Sequence, residues 1–243
     1  MSILPTLPVL GELIPGIEYG TFLLVEFEPD SLWYETCLAT AVRALRAGVR
    51  TDYHTWTEPP SRIRSKLARF GLDVKKLESE DALRIIDSYT IQTGTVVQDS
   101  SGKARVPWQE TSLKITDMSI AGGQEIKTHT EADKRRLHLD DNSSISLQYN
   151  EEKIWIDTIR SRILQRWRSD ELTLFISFMV GIHSPALYKH LEALCDVILD
   201  FRREESAGQV VQFARVRLMR GKPSDSRWRR LRLMENGEVA LSD

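Results

Sequence analysis

Cysteine is scarce in this chain. Its 243 residues hold two, Cys37 and Cys195, far apart in sequence and each in an apolar context. That number excludes a disulfide framework, and the two thiols read as reduced core residues of a cytosolic protein. No apolar run is long enough to span a bilayer, so no membrane partner is expected. The apolar N-terminal stretch is broken by Pro5, Pro8 and Pro15 and has no basic residue ahead of it. It therefore reads as no signal peptide. Charge of one sign is missing too: the formal net charge is -2, which excludes a global field drawing the chain to nucleic acid or anionic lipid. Against these absences, 41% of the residues are hydrophobic and 28% charged, enough apolar content for a core and too much for disorder. The length suits a single domain over 1–243, and no linker divides it.

The hydrophobic pattern alternates between two periods. Strands are expected over 22–28, 51–57 and 83–89, with helices over 32–47 and 61–70 between them, each followed by a glycine, Gly48 or Gly71, where a left-handed cap is favoured. The alternation resumes with a strand over 144–149, a helix over 151–167, a strand over 172–180, a helix over 185–194 and a strand over 196–201. "LTLFISFMV" and "DVILDF" are apolar on both faces, as strands covered by helices on each side must be. The pattern predicts an α/β domain with a central, mainly parallel sheet flanked by helices. "QVVQFARVRLMRG" and "RWRRLRLMENGEVAL" instead predict antiparallel strands at one margin. Residues 92–143 are polar and weakly periodic, and read as an insertion carrying a loop and one helix.

One junction raises a chemical question. In "LLVEFEPDSLWYETCL" a strand passes through a proline-containing turn into a helix. A phosphate-binding loop occupies such a junction, but it needs glycines that free backbone N–H groups, a lysine for the phosphates and a hydroxyl for Mg²⁺. Here the turn reads Pro29, Asp30, Ser31, Leu32, Trp33, Tyr34. From Glu26 to Glu35 the acids Glu26, Glu28, Asp30 and Glu35 face no basic residue at all. A carboxylate in the cradle would repel a triphosphate. The simpler reading makes Asp30 or Ser31 a helix cap, with Trp33 and Tyr34 filling the space of a nucleotide rather than stacking on one.

Beyond the loop, "GELIPGIEYGTFLLVEFEPDS", "LARFGLDVKKLESEDALRIIDSYT" and "CDVILDFRREESAGQVVQFARVRLMRGKPSDSRWRRLRLMENGEVAL" together resemble the KaiC-like branch of the RecA-type ATPases, of the archaeal sort. The likeness covers roughly residues 11–90 and 144–241. It implies a RecA-like P-loop NTPase fold in which the Walker A motif is degenerate. Carried over residue by residue, the family's loop lysine falls on Trp33, its Mg²⁺ hydroxyl on Tyr34, and the preceding glycines on Asp30 and Leu32. Of its paired catalytic glutamates, which fall on Thr57 and Glu58, only Glu58 remains. The aspartate ending its Walker B strand falls near Gln148. Of the "K-x-R-G" finger that reaches a neighbouring subunit, Arg220 and Gly221 survive. Such losses touch each element of phosphoryl transfer.

The remaining signals are weaker. Glu58 could serve as a general base but reads more simply as a solvated strand-end residue. His54, His129, His138, His183 and His190 show no metal-ligand spacing with cysteine, although His183 and His190 could share a helix face, so no metal is expected. Basic clusters lie at Arg62, Arg64, Lys66 and Arg69, at Arg160, Arg162, Arg166 and Arg168, and at Arg227, Arg229, Arg230 and Arg232. They could bind nucleic acid, or be solvated faces balanced by acids. The sequence thus leads to a non-catalytic protein, a pseudo-ATPase serving as a scaffold, regulator or assembly subunit, without a nucleotide cofactor. Its expected partner is itself or a related RecA-type ATPase, with Arg220 near the contact. A divergent ATP-binding ATPase and a nucleic-acid-binding module are the alternatives.

Overall fold

The computed structural model describes residues 10–14, 16–90, 97–98, 104–105, 135–146, 152–164, 172–206 and 208–242. After a short helix α1 (Leu10–Leu13) the chain enters β1 (Phe22–Phe27), whose residues are nearly all buried. Then come α2 (Trp33–Arg46), β2 (Thr51–Thr55), α3 (Pro60–Arg69), α4 (Val74–Ser79) and β3 (Leu83–Asp87). Gly48 and Gly71 follow α2 and α3 with φ of 76° and 79°, the left-handed conformation that glycine adopts without a Cβ clash. Two short strands, β4 (Val97–Gln98) and β5 (Ala104–Arg105), pair only with each other. The chain continues through β6 (Arg136–Asp140), α5 (Glu152–Thr158), β7 (Leu172–Met179), α6 (Pro185–Leu194), β8 (Val197–Ser206), β9 (Gln209–Met219), β10 (Arg229–Leu233) and β11 (Val239–Ser242).

Nine strands form one sheet in the order β11-β10-β9-β8-β1-β7-β6-β2-β3. From β8 to β3 every neighbouring pair is parallel; β8, β9, β10 and β11 are joined antiparallel. The central parallel sheet and the antiparallel margin are as the patterning predicts. β1 sits inside, hydrogen-bonded to β7 on one side and β8 on the other, so the turn after it opens at the C-terminal edge of the sheet, where open α/β sheets place ligands.

Side chains alternate between two cores. Leu23, Val25 and Phe27 face a cluster that includes Cys37, Ala41 and Leu45 of α2, the apolar stripe of that helix. Phe22 and Leu24 face the other side with Leu174, Ile176 and Phe178, covered by Trp155 and Ile156 of α5 and Leu187 and Leu191 of α6. Each cysteine is a free, buried thiol, one in each core, its pKa pushed up by burial.

Two expectations need correction. The strand expected over 144–149 is absent from 143–146, which form a single 3₁₀ turn (Ser143–Ser146). The strand between β7 and β2 is β6, inside the segment read as an insertion. "SISLQY" imitates a half-buried strand by its alternation. "RLHLD" reads as a solvated charge run because Arg136, His138 and Asp140 share one face, yet that face is buried. Gln148 and most of the segment over 92–143 lie outside the described residues. The helix after β6 also changes character, passing from α5 into a π-helical turn at Ile159–Ile163. Among the described residues no helix is long and apolar enough to cross a membrane.

Candidate functional site

The turn after β1 is closed by its own side chains. Ser31 donates its hydroxyl to the Glu28 carbonyl at 2.7 Å, turning the chain back on itself. Asp30 leans outward: its carboxylate lies 3.2 Å from Arg203 Nη1 and is 74% exposed. Its backbone carbonyl accepts from Gln212 at 3.0 Å. Neither residue caps the helix. The N-cap of α2 is Leu32, with no side-chain hydrogen bond to the helix end, so the reading of Asp30 or Ser31 as a cap is not met. The pull of Arg203 on Asp30 and of the Glu28 carbonyl on Ser31 explains why.

Trp33, the first residue of α2, is fully buried. Its indole packs against Phe27 and Phe201, with ring centroids 6.3 and 5.3 Å away. Its Nε1–H donates to the Asp141 carbonyl at 3.0 Å. An indole is tolerated in a core when its one donor finds an acceptor, and this one does. Tyr34 is half-buried, edge-on to Phe27 at 5.5 Å, and its hydroxyl accepts from Asn142 Nδ2 at 2.9 Å. Burial pushes its phenol up to about 12. Pro29 completes the turn, exposed at its outer side.

Across the sheet edge, the acids Asp140 and Asp141 close β6. Asp141 stitches β6 to the end of β2: Oδ1 accepts from the Trp56 backbone N–H at 2.8 Å, and Oδ2 from Thr57 Oγ1 at 2.8 Å and Thr55 Oγ1 at 3.3 Å. Burial nevertheless pushes its carboxyl up to about 6. Glu58 forms ion pairs with Lys66 at 2.6 Å and Arg62 at 3.8 Å across the start of α3, so it is tethered rather than freely solvated. Tyr34, Glu58, Lys66, Arg69, Asp141 and Asn236 line a cleft of about 730 Å³ between α2, α3 and the turn joining β10 to β11.

The other sequence candidates lie apart from this edge. Arg220 follows β9 and turns its exposed guanidinium to the end of α6, donating to the carbonyls of Cys195 (2.7 Å), Glu192 (3.2 Å) and Ala193 (3.3 Å). A cation there meets the acceptors that a helix C-terminus leaves unbonded. Gly221 follows it with φ of 71°. His183 precedes α6 and is buried against the Ser144 carbonyl at 3.0 Å, so it shares no helix face with His190. Two of the basic clusters are partly neutralised within the chain, Arg64 by Glu78 and Arg227 by Asp225, each at 2.8 Å. Arg166 and Arg168 lie outside the described residues.

Sequence reasoning missed a third group. Asp52, His54, Arg136, His138 and Asp140 share the face of β2 and β6 turned away from α2, where Asp52 is registered against His138 and His54 against Asp140. Asp52 and Arg136 form an ion pair at 2.7 Å with both side chains 2% exposed. The available signal was the mirrored spacing, D-x-H in one strand and H-x-D in the other, at positions where a buried strand would otherwise be apolar.

No family model matches this sequence, and no curated protein resembles it at a significant level. Among solved structures, the fold is similar to that of a KaiC-like protein from the hyperthermophilic archaeon Pyrococcus horikoshii. The TM-score is 0.69 over 98% of this chain and 97% of that one, at 16% sequence identity. At that identity the likeness is one of fold: a RecA-like α/β domain with a mostly parallel sheet and antiparallel C-terminal strands, as the sequence resemblance implies.

Proposed function

We propose that this protein is a RecA-fold pseudo-ATPase: it hydrolyses no ATP and acts through contacts, as a scaffold, regulator or assembly subunit. The observation that carries this reading is Trp33, fully buried at the start of α2 where the resembling family carries its phosphate-binding lysine. A triphosphate in such a loop depends on charge-assisted contacts, each worth about 1.5–3 kcal/mol. Around this turn the groups are instead Asp30, held outward by Arg203, and Tyr34, too large and too far along its ring to take the compact Mg²⁺ position of a serine or threonine. The residues present do not fit Mg²⁺-ATP. Asp141, the acid that follows β6, is consistent with this, since its oxygens accept from Trp56, Thr57 and Thr55.

The partner we infer is a second copy or a related RecA-type ATPase, since members of the resembling family pack side by side. Calorimetry with ATP and Mg²⁺ is expected to give no binding tighter than about 1 mM, roughly -4 kcal/mol, and no phosphate release. Micromolar, Mg²⁺-dependent binding would overturn the reading. Native mass measured alone and with the candidate ATPase tests the partner. If Arg220→Ala leaves the assembled mass unchanged, Arg220 serves α6 and not a neighbour.

A second reading draws on the cleft beside Tyr34, whose volume would admit a nucleotide outside the turn with Arg69 and the Glu58-paired Lys66 on its wall, against the acids Glu35, Asp141 and Glu235 that line it too. Loss of any measured ATP affinity on Lys66→Ala together with Arg69→Ala would favour it. Nucleic-acid binding has less support, because Arg64, Lys66 and Arg227 are already paired with acids. It would show as affinity that falls steeply with salt.

A further inference from the structure

Among the described residues, His54, His138 and Asp140 each offer one ligand atom within 4.8 Å of the others. His54 Nδ1 and Asp140 Oδ2 are 3.5 Å apart. Two ligands at about 2.05 Å on a tetrahedral zinc are separated by roughly 3.3 Å, so this pair already stands at a chelating distance. The third ligand atom needs a displacement of the order of 1 Å to join them.

More informative than the distances is how each side chain is held. His54 sets Nε2 against Ser88 Oγ at 2.6 Å and stacks on Trp56 with centroids 4.6 Å apart, which turns Nδ1 to Asp140. His138 places Nδ1 3.9 Å from Asp52 Oδ2. Asp52 is in turn held by Arg136 at 2.7 Å. Asp140 ties Oδ1 to the Asn142 backbone N–H at 3.1 Å and points Oδ2 at His54. In His54 and Asp140 one polar atom is fixed by a partner and another is turned to the other residue. Carboxylate–imidazole and hydroxyl–imidazole contacts of this kind set the ring orientation of metal-bound histidines.

We propose that His54, His138 and Asp140 bind a divalent first-row transition metal, of which Zn²⁺ is the natural probe. Two imidazoles and a single carboxylate suit that class better than Mg²⁺ or Ca²⁺, which take oxygen ligands. Arg136 does not oppose the ion strongly, because its charge is matched by Asp52 at 2.7 Å. Three protein ligands leave one tetrahedral position open, and the His54 side chain, 16% exposed, marks the way in. This site lies on the sheet face opposite α2, separate from the turn after β1, so it stands whether or not ATP binds.

The test uses the full chain, free of any affinity tag and stripped with chelator, titrated calorimetrically with Zn²⁺ and followed by visible absorption with Co²⁺. The expected result is one equivalent bound with the ligand-field bands of a low-coordinate Co²⁺ centre. His138→Asn and Asp140→Asn, each confirmed folded by circular dichroism, should weaken binding at least about 100-fold. Ser88→Ala, which removes only an orienting partner, should weaken it about tenfold. The absence of stoichiometric binding in the wild-type protein overturns the proposal. So does binding that persists undiminished in both ligand variants, since the metal then sits on other histidines. If the ligand variants do not fold, Ser88→Ala decides: unchanged affinity and an unchanged Co²⁺ spectrum reject the site.

Discussion

In the turn between β1 and α2, positions that would carry glycine, lysine and hydroxyl in a nucleotide loop are filled by Leu32, Trp33 and Tyr34. On β2 and β6 the substitution runs the other way: a buried sheet face that could be apolar carries Asp52, His54, Arg136, His138 and Asp140. The regions meet where the Trp33 indole donates to the Asp141 carbonyl. An aromatic core such as that around Trp33 needs only shape and one hydrogen bond. A buried polar cluster costs free energy unless every member finds a partner, and evolution has little reason to keep it for stability alone. The difference directs attention away from the motif-like turn and towards the strand pair.

The largest expected effect is on the aromatic side. Trp33→Ala should lower unfolding stability by about 5 kcal/mol, the upper part of the range for a buried tryptophan, because a cavity opens and the Asp141 carbonyl loses its donor. Urea denaturation measures it. A loss under about 1 kcal/mol would mean that the turn tolerates an empty pocket, and the closed-site reading would weaken. On the polar side, Arg136→Met leaves Asp52 buried without its cation and should cost about 3–4 kcal/mol. Adding Asp52→Leu should recover most of that, since replacing both partners by apolar groups removes the stranded charge. If the double variant stays as unstable as the single one, the cluster is held by more than this pair.

A smaller effect sharpens the boundary between the two regions. Tyr34→Phe removes the acceptor for Asn142 and should cost about 1 kcal/mol. It also has a pH signature. Tyr34 is an acid whose folded pKa is raised, by burial, to about 12 from an ordinary value of 10.0. The folded state therefore holds the proton more tightly, and the stability this gives is fully present below about pH 10. It is lost as pH climbs from there towards 12. The wild-type protein should lose stability across that window and Tyr34→Phe should lose less, as followed by denaturation at each pH.

The sequence made some of this legible and hid the rest for physical reasons. The helices after β1 and β2 announced themselves through apolar periodicity and through Gly48 and Gly71. β7 and β8 did so through apolar runs, and β9 and β10 through alternation. β6 was missed because strand recognition relies on one apolar face, and its second face is polar yet buried by ion pairing. Trp33 and Tyr34 stood out because their types conflict with the chemistry of the turn. Capping was misjudged because Asp30 and Ser31 have better partners in Arg203 and the Glu28 carbonyl, contacts set by chain segments far away or by turn geometry. The histidine cluster was missed because its D-x-H and H-x-D spacings meet only through the register of β2 with β6, which spacing along one strand does not give.

The central position of β1 has a consequence for how the chain is made. Phe22 lies opposite Leu174 and Leu23 opposite Val197, so β1 is synthesised well before either of its neighbours. At about 5–20 residues per second, the "FLLVEF" segment waits roughly 8–30 s before β7 exists to receive it. Throughout that interval an apolar segment of strand-forming sequence lacks both of its partners, an exposure that invites a holding chaperone or aggregation.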